Sequence, residues 1–311
     1  MEKELRLDGQ VALVTGSGRG LGRAHALLLA ARGAAVVVND PGGSLEGDGE
    51  DRMPADGVVE DITSAGGQAV ANFDSVASEA GASAMVAAAI DHFGRIDIVV
   101  NNAGNFLPRR SFTESSSESF AKIWAVHTMG SINVIRAAWP HMVGQGYGRI
   151  VNTASHTGLL GSRGSLEYSV AKAAILGLTK TLALEAAELG IAVNAIAPGA
   201  LTRPVNQMEE VAQLVPPGAF EPDLVSPTVL WLCHPECGVN GEVLGVMSGT
   251  TTRIKIAETQ GYWSSTPTPE AIRDHFTHIM AEETLAGSGL TFGQEAETRG
   301  MELMMHYISH A

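Results

Sequence analysis

A tyrosine and a lysine lie four positions apart, at Tyr168 and Lys172, and Ser155 lies thirteen residues before the tyrosine. On a helix, residues four apart share one face, so the phenol and the ammonium can approach a common point. Ser155 follows a predicted strand, and doubly wound sheets place their active sites at that end of the strands. Because a neighbouring ammonium favours phenolate, we expect Lys172 to lower the pKa of Tyr168 from its usual value of about 10.

A glycine-rich segment at residues 15–22, TGSGRGLG, stands between a predicted strand and an Ala- and Leu-rich helix. Glycines let the backbone turn tightly and approach a diphosphate, and the helix N-terminus supplies N–H groups and a positive dipole end. The segment predicts a dinucleotide site, with a purely structural turn as the alternative. Its candidate cofactor contacts are Gly16, Arg19, Gly20, Leu21 and Gly22.

Asp40 ends the second predicted strand, twenty-four residues after Gly16, near the offset of about 20 expected for an acid that binds ribose hydroxyls. Its charge repels a 2′-phosphate, whereas Arg19 attracts one. We expect the repulsion to decide, which favours NAD over NADP. Asp74 and Ser75 follow the third strand, where Asp74 is placed to accept from the adenine amino group. The structural alternatives are a turn residue for Asp40 and a plain strand-end acid for Asp74.

A nucleotide site combined with this tyrosine and lysine predicts hydride transfer between a carbinol carbon and nicotinamide. A proton must then move at the oxygen, and Tyr168 is the group that takes or gives it. Ser155 donates a hydrogen bond to the reacting oxygen and holds it near the phenol. The structural alternative is that Tyr168 is a surface aromatic on an amphipathic helix.

Short Val- and Ile-rich runs alternate with longer Ala- and Leu-rich segments from residue 11 to residue 199. This alternation predicts a parallel sheet, and the nearly continuous apolar strands predict helices on both faces. The expected fold class is α/β, a doubly wound, Rossmann-type parallel sheet in a single domain with a C-terminal extension. We place the domain at 1–250, including a proline-rich substrate lid at 200–225. The extension, 251–311, is expected to pack on the core or on a partner subunit.

Two loop features need an interpretation. Residues 41–56 are rich in glycine and acidic residues; they form either a solvated loop or a cover for the nucleotide, which lies beside this position in such folds. Ser115 and Glu118 have the spacing of a capping box at the start of a helix predicted over 117–139.

The charge and the apolar pattern exclude several classes of protein. Lys and Arg total 20 against 34 Asp and Glu, a net charge of −14, which repels nucleic acid and anionic membranes. No apolar run approaches the ~18 residues of a membrane-spanning helix. Residues 1–10 lack the pattern of a secretory signal, so we expect a cytoplasmic protein. Cys233, His234 and Cys237 are too few to close a zinc site, and we expect no metal.

Together these elements resemble the short-chain dehydrogenase/reductase family. The matching segments are TGSGRGLG, NNAG at 101–104, the set Ser155, Tyr168 and Lys172, and Pro198-Gly199, and they cover residues 8 to about 250. The resemblance implies that the serine, tyrosine and lysine are catalytic. It also implies a cofactor lined by Asn101, Ala103, Gly104, Tyr168, Lys172, Pro198 and Gly199.

A fourth catalytic residue of that family, an asparagine, should fall where this chain has His127. In the family a relay water is held largely by a main-chain carbonyl, which histidine also has. Two alternatives stay open for the side chain: a buried, hydrogen-bonded histidine or a titrating relay group. We keep His127 as a candidate catalytic residue.

The chain also resembles a branch of the family, the (3R)-hydroxyacyl-CoA dehydrogenase units of peroxisomal multifunctional enzymes of type 2. The segments VVVNDPGG (36–43), VHTMGS (126–131) and VLWLCHPEC (229–237) carry this likeness. It implies interconversion of a (3R)-3-hydroxyacyl-CoA and a 3-oxoacyl-CoA, and a homodimer or homotetramer. Those enzymes carry hydratase and sterol-carrier segments after the dehydrogenase, whereas this sequence stops at Ala311, so we expect a stand-alone dehydrogenase. A hydroxysteroid dehydrogenase and a non-catalytic nucleotide-binding scaffold or sensor are the alternatives.

An acyl-CoA is itself anionic, so a protein of this net charge needs a local basic patch to bind it. The candidates for that patch are Arg109, Arg110, Arg163, Arg203 and Arg253.

Overall fold

In a computed structural model of the 311-residue chain, the described residues are 4–200, 218–257, 261–280 and 289–290. The strands of the main sheet are β1 (Val11–Thr15), β2 (Ala35–Asn39), β3 (Gln68–Asn72), β4 (Ile98–Asn101), β5 (Gly148–Thr153), β6 (Ile191–Gly199), β7 (Val243–Met247) and β8 (Thr250–Arg253). Their order is β3-β2-β1-β4-β5-β6-β7-β8. Strands β1 to β7 pair in parallel. Strand β8 follows β7 through a two-residue turn, Ser248–Gly249, in which both residues have positive φ.

Helices cover both faces of this sheet. They are α1 (Gly20–Ala31), α2 (Met53–Ser64), α3 (Glu79–Phe93), α4 (Ser117–Trp124), α5 (Gly130–Gln145), α6 (His156–Leu160), α7 (Leu166–Ala186) and α8 (Ser226–Cys233). Helices α1, α2 and α8 share one core with the sheet, and α3, α5 and α7 share the other. The predicted doubly wound α/β fold is confirmed.

Strand β1 shows why the central strands are apolar throughout. Ala12 and Val14 face the core that contains α1, α2 and α8, whereas Val11 and Leu13 face the core that contains α3, α5 and α7. All four side chains are at most 3% exposed. A strand covered on both sides needs apolar residues at every position, which is the pattern seen in the sequence.

The sheet order reverses between β1 and β4. From β1 the chain adds β2 and β3 on one side, then returns to add β4 and its successors on the other. In such sheets the crevice beyond the carboxyl ends of the strands at the reversal is the usual ligand site. The ends of β1 and β4 therefore locate the candidate site.

The helix predicted over 117–139 is divided into three segments. Helix α4 is followed by a π-helical turn at Ala125–Met129 and then by α5. The N-cap of α4 is Ser116, whose hydroxyl accepts from the N–H of Ser119 at 3.1 Å. The predicted cap at Ser115 was therefore wrong by one residue. The π turn contains His127, and such turns are frequent at functional sites.

The chain divides into two compact units, residues 1–252 and 253–311. Besides the last residue of β8, the second unit contains helix α9 (Pro269–Ile279) and an antiparallel pair of two-residue strands, β9 (Ile256–Ala257) and β10 (Gly289–Leu290). In the predicted lid at 200–225, positions 201–217 lie outside the described residues. Across the described ranges, no helix combines the length and apolar character needed to cross a bilayer.

Candidate active site

The turn between β1 and α1 is shaped for close approach of a ligand to its backbone. Gly16 has φ +63°, and a Cβ there would lie 2.8 Å from the Cα of Ala103. A Cβ on Gly22 would overlap the carbonyl group of Gly16. Arg19, the N-cap residue of α1, makes no side-chain hydrogen bond to the helix, which leaves the first-turn N–H groups for an external acceptor. This cradle fits the diphosphate of a dinucleotide.

Asn102 and Thr15 fasten this turn to the end of β4. The Asn102 amide donates to the carbonyl oxygens of Thr15 and Gly16, both at 3.0 Å. The Thr15 hydroxyl accepts from the N–H groups of Asn102 at 3.1 Å and Ala103 at 3.0 Å. Sequence reasoning assigned neither side chain a role, although Asn102 belongs to the NNAG segment. The two residues hold the sides of the crevice together.

Asp40 follows β2 at the carboxyl edge and is 8% exposed. Its Oδ2 accepts from the N–H of Gly18 at 2.8 Å, and its Oδ1 accepts from the N–H of Gly42 at 2.7 Å. A Cβ on Gly18 would lie 2.8 Å from Oδ2, so this glycine is required for the contact. The structure thus holds a carboxylate against the glycine turn, where the sequence predicts the ribose-binding acid.

Arg19 and Asp74 flank Asp40. The guanidinium of Arg19 lies 3.6 Å from the carboxylate of Asp51, which offsets the positive charge expected to attract a 2′-phosphate. Asp74 and Ser75 are exposed just beyond β3, and Asp74 Oδ2 accepts from the Asn72 amide at 2.8 Å. Asp74 therefore lies at the same edge of the sheet as Asp40.

The loop after β2, residues 41–52, will be called the strap. The carbonyl of Leu45 accepts from the N–H of Phe106 at 2.8 Å, and the ammonium of Lys122 lies 2.8 Å from the carboxylate of Asp48. These contacts tie the strap to segments that follow β4. It therefore bridges the crevice from the β2 side to the β4 side, rather than extending into solvent as a free loop.

Ser155, Tyr168 and Lys172 come together at the carboxyl end of β5. Ser155 caps α6, where its Oγ accepts from the N–H of Thr157 at 3.1 Å, and it lies close enough to the phenol of Tyr168 to lower the pKa of that group. Lys172 is 4% exposed. Its Nζ donates to the carbonyl of Thr153 at 2.5 Å and lies 5.7 Å from the centroid of the Tyr168 ring. The three side chains thus share one site.

Burial dominates the protonation of this group. It raises the pKa of Tyr168 to about 12, against a smaller lowering by the hydrogen bond with Ser155. Burial also lowers the pKa of Lys172 to about 7. The expectation that Lys172 brings the pKa of Tyr168 below 10 is therefore wrong for the protein alone, because burial disfavours the charged form of both groups.

His127 is 2% exposed, and its ring meets that of Tyr168 edge to face with centroids 5.3 Å apart. Its Nε2 lies 2.8 Å from the carbonyl oxygen of Asn105, whereas its Nδ1 has no hydrogen-bond partner within the described part of the chain. Burial, with a smaller effect of the charge on Lys172, lowers the pKa of His127 to about 3. The ring is therefore neutral near pH 7, which supports the buried alternative over the titrating relay.

Two further residues beside Tyr168 were not predicted. The ring of Phe106 stacks on that of Tyr168 with centroids 4.8 Å apart. Glu167 is 5% exposed and accepts from the hydroxyls of Ser115 at 2.8 Å and Ser119 at 2.7 Å. Burial alone raises the pKa of Glu167, but these hydrogen bonds hold it below its usual value. Glu167 thereby joins the helix that carries Tyr168 to the start of α4.

The other predicted cofactor contacts lie along the carboxyl edge. Asn101 ends β4, is 4% exposed, and donates to Asn152 Oδ1 at 2.9 Å. A Cβ on Gly104 would lie 2.5 Å from Cε1 of His127, so glycine is needed there. The remaining positions begin α1 or end β6, and they are Gly20, Leu21, Pro198 and Gly199.

The cysteines and two of the candidate arginines are not assigned to this group. Cys233 and Cys237 are buried free thiols. In the ranges that the structure describes, no cluster of three or more His, Cys, Asp or Glu side chains could hold a metal ion. Arg203 lies outside the described residues, and Arg253 belongs to the second unit.

Comparisons with known proteins agree with this site. A family model described as short chain dehydrogenase matches residues 10–213. Peroxisomal multifunctional enzyme type 2 of Mus musculus is 47% identical over 285 residues, which are 90% of this chain and 38% of that enzyme. The chain thus spans about two fifths of that relative's length. A short-chain type dehydrogenase/reductase of Mycobacterium tuberculosis is 43% identical over 82% of this chain and 88% of its own.

Solved structures show the same relationship. The crystal structure of a short chain dehydrogenase from Mycobacterium avium has a TM-score of 0.75 and 37% identity, covering 92% of this chain and 97% of the other. Full-length peroxisomal multifunctional enzyme type 2 from Drosophila melanogaster has a TM-score of 0.75 and 32% identity, with 50% of its chain covered. The chain therefore belongs to the short-chain dehydrogenase family, and it is an oxidoreductase that acts on CH–OH groups of small molecules with a nicotinamide cofactor.

Proposed function

We propose that this protein uses NAD to interconvert a (3R)-3-hydroxyacyl-CoA and its 3-oxoacyl-CoA. The chemistry rests on the grouping of Ser155, Tyr168 and Lys172 at the carboxyl edge of the sheet. The substrate class rests on the resemblance to hydroxyacyl-CoA dehydrogenase units, with 47% identity to the mouse multifunctional enzyme.

Tyr168 is the proton donor and acceptor of this reaction. A nicotinamide dinucleotide held by the glycine turn and Asp40 would supply the hydride acceptor for oxidation and the hydride donor for reduction. Because burial raises the pKa of Tyr168 to about 12, the phenol is protonated at neutral pH and is ready to protonate the oxygen during reduction. Oxidation needs the phenolate, so its rate rises with pH. Ser155 holds the substrate oxygen within reach of the phenol.

Asp40 supports the choice of NAD. Both of its carboxylate oxygens accept hydrogen bonds from backbone N–H groups of the neighbouring turns. A buried negative charge at this edge accepts hydrogen bonds from ribose hydroxyls and repels a phosphate in the same place. The cation that could oppose this effect, Arg19, is paired with Asp51.

A panel of secondary alcohols assayed with NAD and with NADP tests the proposal. The panel contains (3R)- and (3S)-3-hydroxyacyl-CoA esters and hydroxysteroids, and the signal is the absorbance of the reduced nicotinamide. We expect turnover of the (3R) esters with NAD. Preference for a steroid would overturn the substrate, preference for NADP would overturn the role of Asp40, and no turnover at all would support a scaffold or sensor.

Removing the phenolic hydroxyl of Tyr168 tests the mechanism. Tyr168→Phe is expected to lower kcat by at least about a hundredfold, the usual scale of general acid–base catalysis. Tyr147→Phe is the matched control, because that phenol binds the side chain of Gln10 at 3.0 Å before the amino end of β5. Equal activity of the two variants would refute the assignment of Tyr168.

A further inference from the structure

Two backbone segments at the edge of the active site carry three arginines, Arg109, Arg110 and Arg163, which we call the arginine rim. The N–H of Arg110 donates to the carbonyl of Gly164 at 3.0 Å. The Cβ of Arg109 lies 3.2 Å from the position that a Cβ on Gly164 would occupy. The segments are thus in direct contact, although more than fifty residues separate Arg109 from Arg163 in the sequence.

The segments that carry the arginine rim adjoin the elements that hold Tyr168 in place. Gly164 precedes Tyr168 by four residues, immediately before the helix that carries it. Arg109 follows Phe106 by three residues, and the Phe106 ring stacks on the Tyr168 ring. Arg109 and Arg163 are exposed, and Arg110 is partly buried. A substrate whose hydroxyl meets Tyr168 can therefore extend towards these guanidinium groups.

Within the part of the chain that the structure describes, the charges of the rim have no close acidic partner, unlike most of the other basic side chains of the first unit. Within the described residues, a carboxylate lies within 4 Å of Arg6, Arg19, Arg23, Arg32, Arg95, Lys122 and Arg136. None of the described carboxylates lies that close to the rim. At longer range, Arg110 helps to lower the pKa values of Glu114 and Glu167. Arg109 and Arg163 are exposed and thus accessible to an external anion.

We propose that the arginine rim binds the phosphate groups at the nucleotide end of a coenzyme A thioester, an inference that rests on the proposed function. A net charge of −14 repels such a polyanion at long range, so binding requires a local positive surface. Guanidinium groups suit this role because their planar forks make paired hydrogen bonds to phosphate oxygens. The rim recognises the carrier, whereas Ser155 and Tyr168 act on the acyl group.

The test compares two esters of one (3R)-3-hydroxyacyl group. The coenzyme A ester carries the phosphates, and the N-acetylcysteamine ester lacks all of them. The rim variant Arg109→Glu/Arg163→Glu should raise the ratio of KM for the first ester to KM for the second by at least about tenfold, or about 1.4 kcal/mol. The control variant Arg6→Glu/Arg136→Glu reverses two exposed charges that are paired with Asp8 and Glu79, and it should leave the ratio nearly unchanged.

Calorimetric titration with free coenzyme A provides a readout without turnover. The rim variant should weaken its binding by a factor similar to that in KM, and the control should not. If both variants weaken coenzyme A binding equally, the cause is a general charge effect and not a specific subsite. If the rim variant binds coenzyme A as tightly as the wild type, the proposal is overturned. If the wild type turns over neither ester, the proposed function fails, and this titration alone decides whether the rim binds phosphate.

Discussion

Replacing Lys172 with methionine tests whether burial controls protonation in the active site. Lys172 is 4% exposed, and burial lowers its pKa from 10.5 to about 7. In the unfolded chain the lysine has its usual pKa, so between these two values the unfolded state binds more protons than the folded state. The free energy of unfolding must then rise with pH across that window. Below the lower value both states are protonated, and the cost of burying the charge is fully present.

The size of this effect follows from the two pKa values. One pH unit inside the window changes the free energy of unfolding by up to about 1.4 kcal/mol. From about pH 7.5 to about pH 9.5, wild type should gain about 2 to 3 kcal/mol relative to Lys172→Met. Loss of the hydrogen bond to Thr153 changes the free energy of unfolding of the variant by a similar amount at every pH. It therefore does not produce this dependence on pH.

Urea denaturation across this pH range measures the slope directly. Lys122→Met serves as the control, because it removes a lysine whose ammonium binds Asp48 outside the core. We expect the control to follow the wild-type pH dependence. Parallel curves for wild type and Lys172→Met would show that the lysine keeps an ordinary pKa, and the argument from burial would then be refuted for Tyr168 as well.

Three further substitutions test separate parts of the site. Asp40→Asn should lower the ratio of kcat/KM with NAD to kcat/KM with NADP by at least about tenfold, and an unchanged ratio would remove Asp40 from the choice of cofactor. Glu167→Gln replaces charge-assisted hydrogen bonds from Ser115 and Ser119 by neutral ones, so the free energy of unfolding in urea at neutral pH should fall by about 1 to 2 kcal/mol; equal stability would contradict this role. His127→Asn should leave the shape of the pH profile of kcat between about pH 5 and about pH 8 unchanged, because the ring is neutral there; loss of an inflection would show that His127 titrates.

The parts of the molecule that the sequence predicted well depend on local pattern. The apolar runs that become β1 to β6 indicated a sheet covered on both faces, and the topology confirms it. Asp40 lies at the carboxyl edge because it directly follows a strand, and Tyr168 and Lys172 share a helix face because four residues make about one turn. Each of these inferences needs only the neighbouring residues and the periodicity of one element.

The parts that the sequence did not predict depend on contacts between distant segments. Ser115 appeared to fit a helix cap, but in the folded chain its hydroxyl donates to Glu167, which is fifty-two residues away. Nothing in the sequence pattern singled out Phe106, whose ring stacks on that of Tyr168 in the folded chain. The predicted direction of the pKa shift of Tyr168 was wrong for the same reason. Sequence spacing identifies the charged neighbour, but it does not show how completely the fold removes water from the phenol.

The strap connects the two halves of the site physically. At one end, Arg19 in the glycine turn pairs with Asp51. In its middle, the carbonyl of Leu45 accepts from the N–H of Phe106, whose ring stacks on Tyr168. The glycine turn and the aromatic ring that stacks on Tyr168 are therefore linked through one short segment. Because this segment lies between β2 and α2, the glycine- and acid-rich insertion connects the glycine turn to the residues that pack against Tyr168.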